Sequence, residues 1–455
     1  MAGESGSALR KHVVVIGGGV TGCVLAERLR QRRPDDAVTL LEGSKTLGGL
    51  SVASAPDELG WDRFYHVVTP QDVLLEDFLR RIGCADRLRF RSVHTGFFVD
   101  GKLFPFDSPL DFLRFSPLSF LEKTRLLAGI FYAVRLPVHK EARLWDVSAK
   151  TWLSEVFGDA VVEKFWAPLL RAKLGEAANE TAAMFIASTI RRLFATRQGK
   201  DQKEAFGYIS GGYKTVFEAA ERYLAGLSVT VRKEAPVQHL AQGTDGRLCV
   251  RVGGENGHTL VADEVFFTGP CRALPALCEG SLLPPALRKL ASTVRYLGVL
   301  CFAIKLLRPL LPYYVLNLID STLPFMGVIG LSTLVDPSEL SGQHLVYLPR
   351  YLPDDHPDFD LPDDVLVPRF LSGISRVAHR RGFCVDEIVH AQLFRARFVS
   401  PIPVCGYDKL RLPVTLVPGR LHLVNSGRIL GGTLNNNQMI EETERALDEV
   451  FDRAV

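Results

Sequence analysis

The stretch from His12 to Glu42 constrains what this chain can fold into more than any other. His12 to Ile16 (H-V-V-V-I) is a short β-branched run of the kind that forms a strand buried on both faces. It leads into Gly17-Gly18-Gly19-Val20-Thr21-Gly22, which satisfies G-x-G-x-x-G at Gly17, Gly19 and Gly22. Cys23 to Arg33 then carries a helical pattern, with Val24, Leu25 and Leu29 on one face and Glu27, Arg28 and Arg30 on the other. Ala37 to Leu41 reads as a second strand, and Glu42 closes the unit 20 positions after Gly22. Strand, glycine turn, helix, strand and acid in that order predict a parallel βαβ unit that holds a dinucleotide. The turn needs glycine dihedrals, the pyrophosphate needs close backbone approach at a helix N-terminus, and the carboxylate takes the ribose hydroxyls. Gly17, Gly19, Val20, Thr21, Gly22 and Glu42 are the candidate contacts.

Composition narrows the partners. At 455 residues the chain exceeds one ordinary domain, and 47% apolar residues with a mean hydropathy of +0.11 imply a large core. A net charge of +3 without a long charge run argues against nucleic acid. Eight cysteines without a C-x-x-C pair read as reduced, buried thiols of an intracellular protein. Eleven scattered histidines lack metal-ligand spacing, so no metal is expected. The dozen polar residues before His12 do not form a secretory signal, and no apolar run reaches the roughly 18 residues of a spanning helix. The expected location is the cytoplasm, with a peripheral membrane contact left open. Leu126 to Val138, interrupted by Arg135 and Pro137 and preceded by Phe115 to Leu121, is the segment that leaves it open. An amphipathic core helix is its simpler reading; the wall of an apolar tunnel or a dip into a membrane surface is the other.

After Glu42 come Gly43, Lys45, Gly48, Gly49 and Leu50, and then Trp61-Asp62-Arg63-Phe64-Tyr65-His66. A nicotinamide domain typically has no second glycine pair so soon after its acid. The pattern V-V-V-I-G-G-G-V-T-G…L-L-E-G-S-K-T-L-G-G-L resembles the FAD-binding start of the amine-oxidase and protoporphyrinogen-oxidase superfamily, shared by phytoene desaturases and UDP-galactopyranose mutase. The resemblance implies FAD as cofactor, with the second glycine pair passing under its pyrophosphate and ribityl chain. It adds Gly43, Lys45, Gly48, Gly49 and Leu50 to the candidate contacts. Gly207 to Tyr213 is similar to the superfamily's turn back into the FAD domain, and Val237 matches a valine whose backbone meets the adenine. Glu264 to Pro270 resembles its strand and T-x-P exit, and Trp166 to Gly175 its substrate-domain helix.

Toward the C-terminus the families separate. The Gly-Asp pair of most amine-oxidase relatives is missing, and Gly427-Arg428 instead looks like the G-R-L of the mutase, although the mutase's two following tyrosines are replaced by glycine and threonine. Arg428 is expected near the flavin's ribityl–phosphate portion, and Thr433, Leu434 and Asn435 beside the ring or ribityl chain. Plain helix capping is the alternative for the asparagine run. His66 falls where the mutase has a histidine beside the flavin and is the one candidate catalytic residue. Arg191, Arg192, Arg197, Lys200 and Lys203 read as a solvated helix end that could also attract an anion. Lys305 and Arg350 are candidates for a substrate carboxylate or phosphate.

The fold expected is α/β. A Rossmann-like FAD-binding domain is assembled from 1–92, 205–270 and 396–455, and a mixed α+β substrate domain from 93–204 and 271–395. Pro353 to Pro368 reads as a surface loop. Three functions fit. The first is an FAD-dependent oxidoreductase taking hydride from a C–H bond of a small, largely apolar or anionic substrate, with no second G-x-G-x-x-G motif for a nicotinamide. The second is a redox-neutral, mutase-like enzyme on a nucleotide sugar. The third is a flavin-binding protein without catalysis, for which no residue speaks.

Overall fold

The computed structural model describes residues 10–55, 59–137, 141–195, 205–254, 257–320, 322–430 and 434–452. His12–Ile16 lies near the middle of a six-stranded sheet, and Val13, Val14 and Val15 are fully buried. Its register runs parallel to Ala37–Leu41 on one side (His12 opposite Ala37) and to Glu264–Phe267 on the other (Val13 opposite Glu264). Thr230–Arg232 extends one edge, and Leu421–Leu423 with Thr415–Val417 the other. Three separated stretches of chain therefore supply one sheet. Helices Val20–Arg32, Gly212–Gly226 and Asn436–Asp452 share one hydrophobic cluster against it.

The first helix begins at Val20, inside the glycine motif and three residues ahead of the expected start at Cys23. Glycine-rich spacing hides a helix start because Gly is a poor helix former, but here the turn itself delivers the chain into the first helical residue.

A second, seven-stranded sheet carries the order Ile388–Pro401, Tyr296–Leu306, His344–Pro353, Gly327–Gly330, Val315–Leu318, Thr95–Val99 and Lys102–Pro105. Tyr296–Leu306 is buried along its length except at Lys305, as a central strand covered on both faces must be. One end of this sheet meets a helical layer: Phe120–Val134, Ala149–Phe157, Ala167–Leu174 and Ala183–Ala195. Gly129 lets the first of these approach closely, since a Cβ there would lie 2.4 Å from the Phe157 ring. Val162–Trp166 forms a π-turn just before Ala167–Leu174, where Pro168 removes a backbone donor.

The loop expected over Pro353 to Pro368 is corrected. Helix Asp363–Ala378 begins within it and carries Pro368 in its second turn, and Asp358 and Phe359 ahead of it are buried. The Asp-Pro composition that reads as a loop is also that of a helix N-terminus, where acids face unpaired N–H groups.

Candidate functional site

The glycine turn and the second glycine pair meet backbone to backbone. Gly17 sits at φ +107°, and a Cβ there would lie 2.2 Å from the Thr268 hydroxyl, which donates to the Ile16 carbonyl at 2.8 Å. A Cβ on Gly22 would lie 1.8 Å from the Gly17 carbonyl oxygen. Gly48 (φ +150°) donates to the Gly18 carbonyl at 2.9 Å, and a Cβ on Gly49 (φ +56°) would come within 3.2 Å of the Gly19 Cα. The helix that begins at Val20 has no side-chain cap, so the first-turn N–H groups of Val20, Thr21 and Gly22 have no side-chain acceptor and face forward. Bare backbone on two sides and a positive helix end make a cradle that fits a dinucleotide pyrophosphate.

Glu42 stands at the strand end as expected. Its carboxylate accepts from the Gly18 N–H (2.7 Å), the Ser44 N–H (2.8 Å) and the Ser44 hydroxyl (2.7 Å). These bonds orient it, and its remaining lone pairs can accept ribose hydroxyls. Its backbone is tied to Arg232 and Ala235, and Gly43 packs 3.5 Å (from an added Cβ) against Pro236, which brings the Val237 segment alongside. Lys45 is exposed and Leu50 half-buried at this rim.

The C-terminal residues are tied to one another and to neighbouring helices, and Arg428 takes an internal ion pair. It is 2% exposed, and its guanidinium pairs with Glu442 at 2.7 Å and Glu449 at 3.6 Å and donates to the Leu412 carbonyl. Those partners sit on the last helix and the strand approach, so the side chain is held inside the protein. Gly427 is buried with its carbonyl accepting from Tyr407 at 2.6 Å. Asn435 caps its own helix through the Gln438 N–H and donates to Asp72; Asn436 donates to Ser51; Asn437 accepts from Leu74 and Leu75 at the start of helix Val73–Arg81. The run is a capping hub that reaches Ser51, two residues past the second glycine pair. Leu434 lines a cavity, described next; Thr433 lies outside the described residues, as do Arg197, Lys200 and Lys203.

That cavity opens between the helical layer and the C-terminal segment. Lys173, Phe185, Leu297, Ser400, Ser426 and Leu430 are among its walls, and Lys173 is their one charged group among the described residues. Burial, with the like charge of Arg192 behind it, pulls the Lys173 ammonium down to about 8. The Phe185 ring lies 5.4 Å from its Nζ, and no carboxylate partner exists for it among the described residues.

Strand His344–Pro353, which packs against helix Ala167–Leu174, contributes Tyr347 and Tyr351 to a tyrosine cluster. The Tyr65 and Tyr351 hydroxyls are 3.1 Å apart, and Tyr347 donates to the Asp62 carbonyl at 2.5 Å. The Asp62 carboxylate accepts from the Tyr213 N–H at 3.0 Å, and burial pushes it up to about 8. His66 is fixed between the Phe64 carbonyl (2.9 Å) and the Ser51 hydroxyl (3.2 Å), with its ring 5.0 Å from that of Tyr213. Burial drives its imidazole down to about 4, so it is neutral near pH 7.

Two of the candidate anion-binding cations are satisfied internally. Arg350 pairs with Asp358 at 2.6 Å and Arg191 with Glu141 at 2.5 Å; Lys305 borders the outer end of its strand, where partial burial lowers it. The described residues hold no cluster suited to a metal. All eight cysteines are free, but Cys384 and Cys405 are exposed, against the expectation that all are buried. Sequence reading missed Lys173 as a site residue; A-P-L-L-R-A-K-L holds two cations, and nothing local separates the exposed Arg171 from the half-buried Lys173.

A dinucleotide cradle on a parallel sheet, joined to a second sheet with a cavity at the seam, defines an FAD-dependent oxidoreductase. The family described as flavin containing amine oxidoreductase matches residues 20–407, and this chain belongs to it. Solved structures share the fold at low identity. A protein assigned as a protoporphyrinogen oxidase from Exiguobacterium superposes with a TM-score of 0.75 at 17% identity, covering 98% of this chain and 100% of that one. Reduced UDP-galactopyranose mutase gives 0.73 at 17%, over 97% and 96%. Putrescine oxidase bound to putrescine gives 0.71 at 17%, over 98% and 100%. The comparison with curated proteins found no match.

Proposed function

We propose that this flavoenzyme takes a hydride from a C–H bond of a small, largely apolar or anionic molecule held in the seam cavity. The observation that carries this reading is the character of the walls: mostly apolar side chains, with Ser400, Ser426 and Tyr407 the uncharged polar ones and the Lys173 ammonium the one charge among the described residues. A cation in a low-dielectric cavity repels a protonated amine and attracts a carboxylate or phosphate. When bound, FAD supplies the two-electron acceptor, and its reoxidation returns the pair to oxygen or another acceptor. The protein's part is to hold the substrate carbon in a dry space, Lys173 anchoring the acidic group and Phe185 and Leu297 excluding water. His66, neutral and hydrogen-bonded at both nitrogens, holds the Ser51 hydroxyl just past the second glycine pair; it is not in a state to act as a general acid at neutral pH.

In this reading the FAD contacts are the two glycine stretches, Glu42 and the Val237 segment, and the chain touches a membrane only peripherally. A mutase-like, redox-neutral reaction on a nucleotide sugar is the second reading, favoured by the match in fold to the mutase. A diphosphate asks for more positive charge than the described walls hold, and Arg428 is committed to Glu442.

Anaerobic mixing of the flavin-loaded protein with porphyrinogens, polyenes, amines and nucleotide sugars tests both. Bleaching of the flavin by an apolar or carboxylate-bearing compound, and not by simple amines, is expected. Bleaching by amines alone, or turnover of a nucleotide sugar only after dithionite reduction, overturns the proposal.

A further inference from the structure

Seven of the sixteen large apolar side chains exposed among the described residues crowd into 23 positions, from Leu110 to Tyr132. The remaining nine are spread over the rest of the chain, with only Leu307, Val385 and Val389 brought together, at the end of strand Tyr296–Leu306. Phe120 is 76% and Leu121 77% exposed, and Leu127, Phe131 and Tyr132 follow at helical spacing on helix Phe120–Val134. Thr124 and Ala128 fill the gaps on the same face, while Leu126, Gly129 and Ala133 turn the opposite face into the core. Helix Pro109–Arg114 adds Leu113 to this surface, tied in by Lys123, whose ammonium donates to the Leu113 carbonyl at 2.7 Å.

Three exposed arginines, Arg114, Arg125 and Arg135, flank the stripe, and the Arg135 guanidinium stacks 3.5 Å over the Phe131 ring. The nearby acids are occupied: Asp111 and Glu122 close capping boxes with Ser108 and Ser119, and Glu122 also pairs with Lys164 at 2.6 Å. A helix of this length is about 22 Å long and about 10 Å wide, so its exposed face offers on the order of 200 Å². A stable protein–protein interface takes about 800 Å² from each partner. The ridge is too small to hold a second copy of the chain. It suits a layer into which aromatic and aliphatic tips sink while arginines remain at the surface.

We infer that the Phe120–Val134 ridge seats this protein on the interface of an anionic bilayer, with Phe120, Leu121 and Phe131 among the acyl chain ends and Arg114, Arg125 and Arg135 at the headgroup phosphates. No helix among the described residues is long and apolar enough to cross a membrane, so the contact is peripheral. The inference specifies the surface for the peripheral contact named above and is independent of the substrate assignment.

Cosedimentation of the full-length, flavin-loaded protein with vesicles tests it without an activity readout. Binding is expected to vesicles of phosphatidylcholine with phosphatidylglycerol, to weaken with added salt, and to be slight for phosphatidylcholine alone. Phe120→Ser with Leu121→Ser is expected to weaken binding by about tenfold or more, since two apolar side chains no longer leave water. Flavin content and melting temperature should hold, because both side chains are already in solvent. Arg135→Gln should weaken binding to the anionic vesicles only. The inference is overturned if wild type binds neither vesicle, or if the double variant binds as well as wild type. It is equally overturned if the wild type is a dimer in solution that the double variant converts to monomer, which assigns the ridge to self-association.

Discussion

Lys173 is a cation that the fold holds at a cost. The unfolded chain keeps its proton up to about 10.5 and the folded chain only to about 8, so stability rises with pH between those values, and below 8 the charge is carried against its burial. Lys173→Met removes that penalty and is expected to raise stability at pH 7 by roughly 2 kcal/mol, discounted for the part of the side chain that meets the cavity. The same change should weaken a carboxylate-bearing substrate about tenfold or more, with kcat less affected than KM. In the wild type, substrate affinity should fall as pH passes about 8, where the ammonium is lost. A more stable but weaker-binding variant marks a functional lysine; lower stability with unchanged affinity marks a structural one. Glu42 makes the opposite kind of test. Glu42→Arg places a cation where Gly18 and Ser44 N–H groups converge, so it should purify without flavin absorbance; a variant as yellow as wild type removes Glu42 from the cofactor site. Glu42 was legible from its spacing alone, whereas Lys173 was not, because nothing local says which face of its helix meets a cavity.

At the scale of elements, the short strands read true. His12–Ile16 and Ala37–Leu41 have the bounds their β-branched runs predict, since burial on both faces demands an unbroken apolar run. Segments governed by partners read less well. Gly427-Arg428 resembles a flavin contact in its sequence context, whereas in the fold its guanidinium crosses to the last helix and meets Glu442. Arg428→Ala leaves that carboxylate, 6% exposed, with only Arg445 beside it. A loss of about 3 kcal/mol is expected, seen as a lower melting temperature, with the flavin's spectrum and potential unchanged in the folded variant. A shifted potential at unchanged stability restores the flavin-contact reading. The asparagine run shows the same limit: capping was foreseeable, but Asn437 caps a helix 362 to 363 positions earlier in the chain.

Over the whole molecule, the central sheet joins strands as distant as Val265 and Leu421, and a second sheet threads Thr95–Val99 beside Val315–Leu318. The substrate cavity and the exposed ridge both arise from that assembly. The helical pattern from Phe120 onward is amphipathic in two senses, with apolar residues on both faces, and periodicity cannot say which face the core takes. Packing decided it: Gly129 admits the Phe157 ring, so that side goes inward and Phe120, Leu121 and Phe131 are left outside. By itself, then, the sequence determined the dinucleotide turn and its acid, because glycine dihedrals, a helix start and a strand end are local properties written in adjacent residues. Only the tertiary structure decided that Lys173 faces a cavity, that Arg428 serves the last helix and that one helix face stays in solvent, because burial and pairing belong to whatever the rest of the chain brings alongside.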